Sequence, residues 1–170
     1  MIYKEYSKAA QRHRETCEFL LRKLNDKLEY IPVPCQTKIL QNIYYLSGYI
    51  IECIVSYTFF NVIEYDANKS IYELDQNNAF GYSFHKFFKE HSNSANKLRI
   101  DEIRKRAGNI SSQIPIVGDV DIEELTKQMY MQWDAKSRYT ITHLDFEVNQ
   151  VNVSKFYTLA SEIYIKMKKI

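Results

Sequence analysis

Between Ile39 and Ile63 the chain carries one charged side chain, Glu52, in a run built mostly of Leu, Ile, Val, Tyr and Phe. Leu40, Ile43, Leu46, Ile50, Cys53, Tyr57 and Phe60 recur at spacings of three and four, which sets them on one side of a helix. Tyr45, Gly48, Tyr49 and Phe59 make the other side apolar too. A helix apolar all round has to be covered all round, so this segment is expected at the centre of the fold. Gln41, Asn42 and Glu52 break the run, and no membrane span is expected from it. Only four glycines and three prolines punctuate 170 residues, too few for the many tight turns of a sandwich or barrel, so the remainder is expected to be helical as well.

The flanking segments fit that expectation. Tyr6, Ala10, His13, Cys17, Leu20, Leu24 and Leu28 form an amphipathic stripe, and Pro32 and Pro34 are expected to end that helix. Beyond Asp66-Ala67-Asn68 the pattern weakens. Phe80, Phe84, Phe87 and Phe88 suggest a short helix, Ala95, Leu98, Glu102 and Ile103 a charged one, and Gly108 to Val120, with Pro115 inside it, an ordered loop. Asp121 with Glu124 three residues on resembles a capping box opening a helix through Ile122, Leu125, Met129 and Trp133. A final helix follows Asn152 or Ser154, with Val153, Phe156, Ala160, Ile163 and Met167 inward and Lys166, Lys168 and Lys169 at its negative end. The expected architecture is one all-α domain spanning residues 1–170: an antiparallel bundle of about five helices with an irregular middle and a loop before the last helix.

Charge and cysteines limit the function classes. A formal net charge of +2 gives no overall basic field, so any polyanion site must come from local clustering. Cys17, Cys35 and Cys53 are odd in number and form no C-x-x-C pair, and two of them fall on apolar faces, which suits reduced, buried thiols and a cytoplasmic setting. The N-terminus, charged from Lys4 onward, lacks the apolar core of a secretory signal. No carboxylate set is spaced for a metal and no Ser/His/Asp or cysteine nucleophile motif appears, so neither a metal nor a cofactor is expected.

Two features carry chemistry. A carboxylate as apolar in its surroundings as Glu52 needs a basic partner or a route to the surface between Tyr45 and Tyr49. Arg138 is a candidate partner, because Trp133 can anchor the preceding helix in the core and bring residues 134–139 over the bundle. Gly48, one turn before Glu52, is expected at a close helix contact, since glycine inside a helix costs about 1 kcal/mol against alanine. The second feature is Arg138-Tyr139-Thr140-Ile141-Thr142-His143. A histidine near neutral pKa can take the proton from a ribose 2′-hydroxyl or protonate a leaving oxygen, while a forked guanidinium holds the phosphate. Such a pair cuts RNA without metal, the nucleophile coming from the substrate. With seven arginines and four histidines the spacing alone decides nothing. His13 and His85 are expected to be structural. Lys97, Arg99, Arg104, Lys105 and Arg106 can follow a phosphate backbone, although a solvated helix face explains them better. The many tyrosines suit core and dimer contacts before base stacking.

The order of these features, Tyr45-Leu46-Ser47-Gly48-Tyr49-Ile50-Ile51-Glu52-Cys53, then Trp133, then Arg138-Tyr139, then a closing helix, resembles the HEPN domain, the higher-eukaryote and prokaryote nucleotide-binding family, over nearly the whole chain. The resemblance implies a helical bundle that commonly forms a homodimer and binds RNA or nucleotide. In active members it implies metal-independent endoribonuclease action by an Arg-x4-6-His motif from both subunits, which Arg138 and His143 alone fit here. It further implies service as a toxin or in phage defence, in some members beside a nucleotidyltransferase or antitoxin partner. Tyr139 stands where nucleases often have Asn, Asp or His, and Asp145 where some partnered toxins have tyrosine. The motif also precedes the last helix instead of opening it. An Arg-Tyr pair before the final helix resembles more the branch that binds nucleotides without cutting RNA. The alternative expectation is a non-catalytic binding or dimerisation module in which Arg138 pairs with Glu52 to fix the loop after Trp133 and His143 is incidental.

Overall fold

The computed structural model describes residues 1–62, 64–71 and 122–170. The expected short helix at Phe80 to Phe88, the charged helix at Ala95 to Ile103, the loop Gly108 to Val120, His85, Asp121 and the basic cluster Lys97, Arg99, Arg104, Lys105 and Arg106 lie outside the described residues. Within them the fold is all-α, with no strand and four α-helices: α1 (Lys4–Lys27), α2 (Val33–Val62), α3 (Glu124–Gln132) and α4 (Gln150–Met167).

Helix α1 turns one face to the core. Tyr6, Ala10, Cys17 and Leu24 of the expected stripe are buried, with His13 and Leu20 half-buried between them. It ends earlier than the prolines suggest: Lys27 closes the α-helix and a 3-10 turn, Leu28–Tyr30, follows. Pro32 and Pro34 instead open α2. Pro34 sits in its first turn, where the missing N–H would have had no partner anyway. The Pro32 carbonyl accepts from the amides of Cys35 and Gln36 at 2.8 and 3.0 Å, and the Gln36 side chain donates to the Ile31 carbonyl at 2.7 Å.

Helix α2 is the central element, packed by α1, α4 and a 3-10 turn after α3. Its buried hydroxyls need partners in an apolar setting and find them on their own helix: Ser47, Ser56 and Thr58 donate to the carbonyls four residues back at 2.7–2.9 Å. Hydrogen bonds and ring contacts fix the register of its neighbours. Tyr44 meets Phe156, and Thr58 and Asn61 reach the carbonyls of Met167 and Ile170, so α2 and α4 run parallel. Gln150 bonds Asn25 at 2.6 Å and Arg14 lies over the Tyr164 ring, so α1 runs antiparallel to α4, as it does to α2 across their short connection. These directions, α1 opposed to both α2 and α4, are those of an antiparallel bundle among the described helices.

Two helix starts differ from the sequence expectation. Helix α3 begins at Glu124, so that Ile122, expected inside it, precedes it, and Glu123 occupies its N-cap without a side-chain bond. Helix α4 begins at Gln150, ahead of Asn152 and Ser154, because Asn149 accepts a hydrogen bond from the Asn152 amide and caps it. The residues expected inward on α4, Val153, Phe156, Ala160, Ile163 and Met167, are all buried.

Candidate functional site

The site begins where α3 stops. Its last turn gives way to Trp133, whose extended backbone turns the indole onto α2. The ring is 2% exposed, donates its N–H to the Tyr45 carbonyl at 3.0 Å and meets Tyr49 edge-on with centroids 5.0 Å apart. Gly48 is the floor of this contact: a Cβ there would fall well inside van der Waals distance of the indole. The close approach expected at Gly48 is therefore made, with Trp133 as the group that approaches.

From that anchor the chain enters a 3-10 turn, Ala135–Arg138, opened by the Asp134 carboxylate accepting from the Lys136 amide at 2.9 Å. Ser137 is fully buried, and Gln41 of α2 donates to its carbonyl at 3.1 Å and, at 3.5 Å, to that of Arg138. Alongside, the Tyr44 hydroxyl donates to the Met129 carbonyl, with burial raising its pKa. These contacts hold the backbone of the turn while its outer side chains face water. Arg138 and Tyr139 are exposed, and the guanidinium lies over the tyrosine ring, 5.7 Å from its centroid.

The following loop is fixed at its far end as well. Gln132 donates to the Asp145 carboxylate at 2.8 Å and accepts from the Asp145 amide at 2.9 Å, a two-bond clasp between the end of α3 and the loop. Thr140 and Thr142 share a hydroxyl bond of 2.8 Å, and Phe146 packs edge-on against Tyr44. His143 lies between these fixed points and is exposed. Arg138 and His143 thus share one surface loop ahead of α4.

The anticipated Arg138–Glu52 pair is not made: among the described residues Arg138 forms no ion pair, and its charge is directed outward. Glu52 is half-buried in a different neighbourhood. Its negative charge adds to burial in raising the pKa values of Tyr49, Tyr130 and Cys53, the thiol being pushed up to about 12. Arg12 of α1 supplies positive charge there, acting on Cys53 and on His13. His13 is tilted against Tyr49 with ring centroids 5.9 Å apart, and its pKa is lowered by burial first and by Arg12 second. Cys17 and Cys53 are buried free thiols and Cys35 is an exposed one.

Among the described residues no three His, Cys, Asp or Glu side chains gather as metal ligands. Among the described residues one helix, α2, is long and apolar enough to cross a membrane by length and composition, and 72% of its apolar 18-residue stretch is buried against the rest of the protein. Sequence reasoning missed the roles of Gln41, Gln132 and Phe146, which have no local signature because their partners are distant in the chain. Comparison with protein-family models, with curated proteins and with solved structures finds no match for this chain.

Proposed function

We propose that this protein is an HEPN-like RNA- or nucleotide-binding protein of the cytoplasm, with a metal-independent endoribonuclease site at Arg138 and His143. The observation that supports this most is the joint exposure of Arg138, Tyr139 and His143 on one loop tied down at Gln41 and at the Gln132–Asp145 clasp. A guanidinium that pairs with no carboxylate among the described residues keeps its capacity for a phosphate, and a solvent-facing imidazole can exchange protons with substrate. In this account the complete bundle has about five helices, a homodimer brings two such loops together, and the physiological setting is a toxin or phage-defence system. The buried Trp133 contact holds the start of the loop.

The alternative function is a non-catalytic binding and dimerisation module acting with a partner such as a nucleotidyltransferase or antitoxin. What favours it is the position of His143 in the loop before the Asn149 cap, outside α4, together with the tyrosine directly after Arg138. Its version with Arg138 held on Glu52 is disfavoured by the outward guanidinium.

Cleavage of structured and single-stranded RNA in excess EDTA separates the two. The ribonuclease predicts cutting that survives EDTA and falls at least about 100-fold in both Arg138→Ala and His143→Ala, as loss of a general acid–base group or a phosphate clamp should cause. No cutting, or cutting that both folded variants retain, supports the binding module.

A further inference from the structure

Tyr139 is the most exposed large hydrophobic side chain among the described residues, at 80%. Solitary exposed rings are common and need no function in themselves, so what matters is how this one is held. Its amide donates to the Lys136 carbonyl at 2.8 Å and the next amide, of Thr140, donates to the same carbonyl at 3.1 Å. The buried Ser137 and the Gln41 bond fix the turn from beneath. The backbone is thus set before any ligand arrives, and a tyrosine then has few torsions left to lose. Arg138 lies over its ring, and Lys136 is exposed in the same turn.

Tyr30 makes the useful contrast. It is 78% exposed, but it borders an open cavity of about 740 Å³ shared with Asp26 and Glu29, where negative charge repels a phosphate. Tyr139 has cations beside it instead.

We propose that the open face of the Tyr139 ring is a stacking subsite for one unpaired base of an RNA strand, with Arg138 and Lys136 meeting the flanking phosphates. The inference rests on the RNA-binding function proposed above and gives it a substrate class. Bases inside a duplex have both faces covered by their neighbours, so a ring projecting from a protein loop reaches a base face only in single-stranded segments, loops or bulges. Aromatic stacking together with basic side chains that follow the backbone is the general means of holding such strands.

The test is binding of the full chain to a fluorescent adenosine oligonucleotide, 2′-O-methylated so that it cannot be cut, alone and paired with its complement at fixed salt. Tyr139→Ala is expected to weaken single-strand binding by about 5- to 150-fold, the range for loss of one base–aromatic stack. Tyr139→Phe and Tyr139→Trp are expected to stay within about threefold of wild type, because each retains a ring face, and duplex binding should not change. If wild type binds the strand and Tyr139→Ala binds it equally well, or if the variant loses strand and duplex to the same extent, the subsite is wrong while RNA binding stands. A changed sedimentation coefficient in Tyr139→Ala would assign the ring to a contact between copies of the chain and overturn the proposal. Failure of wild type to bind either RNA would overturn both the subsite and the function beneath it.

Discussion

Gly48 and Trp133 are a matched pair, since the indole occupies the volume that any side chain at position 48 would need. Two effects of Gly48→Ala oppose each other. Alanine favours the helix over glycine by about 1 kcal/mol. Against that, overpacking costs about 1–3 kcal/mol, and the bond from the indole N–H to Tyr45, worth about 1 kcal/mol, is at risk as the ring moves. The balance predicts net destabilisation of about 1–2 kcal/mol in urea unfolding, with Trp emission shifted to the red as the ring becomes wetter. An unchanged midpoint and an unshifted spectrum would mean that the ring slides aside at no cost. The same scale explains the cysteines: Cys17 and Cys53 have pKa values pushed up to about 12, chiefly by burial, so these thiols stay protonated and act as small apolar fillers.

Among the elements, the long helices were legible because each announces itself through its own period. Tyr6 to Leu24 on α1 and Val153 to Met167 on α4 bury the faces their spacing predicts, and α2 with its two apolar sides lies at the centre. Ends were less legible, since Pro34 is tolerated in a first helical turn and Asn149 competes with later candidates for the cap. The loop holding Arg138 and His143 was legible as residues and not as geometry. Charge balance suggested that Arg138 would serve Glu52, but drawing a guanidinium under the surface costs several kcal/mol of hydration, and here it stays outside over Tyr139. The clasp that shapes the loop joins Gln132 to Asp145, a pairing with no periodic signal. Gln132→Ala removes both of its bonds. Hydrogen exchange at the Asp145 amide is therefore expected to quicken by roughly 5- to 10-fold, as loss of about 1 kcal/mol of local protection gives, with less change in the amides of α2. Equal exchange at Asp145 in variant and wild type would show that Phe146 against Tyr44 holds the loop without the clasp.

For the molecule as a whole, the contact between α1 and α2 couples stability to pH through His13. Burial against Tyr49, and then the charge of Arg12, disfavour its protonated form, so its pKa in the fold lies below the ordinary 6.5. The unfolded chain takes up that proton near 6.5, whereas the fold resists it until lower pH, so between the two values the unfolded state binds more protons. The stabilisation from a neutral His13 is therefore complete above the unfolded pKa and is lost progressively as pH falls from 6.5 towards the folded value. His13→Gln keeps a polar side chain of similar reach and removes the titration. Urea midpoints taken at about pH 7.5 and about pH 5.5 should drop further in wild type than in the variant, and the difference between the two drops isolates this group from the carboxylates and the other histidines. Identical drops would place the proton sensitivity elsewhere and leave His13 as a side chain that charges without disturbing the helices it joins. A smaller drop in the variant would show that the junction of α1 and α2, remote in sequence from the Arg138 loop, limits how far the protein can be acidified before it unfolds.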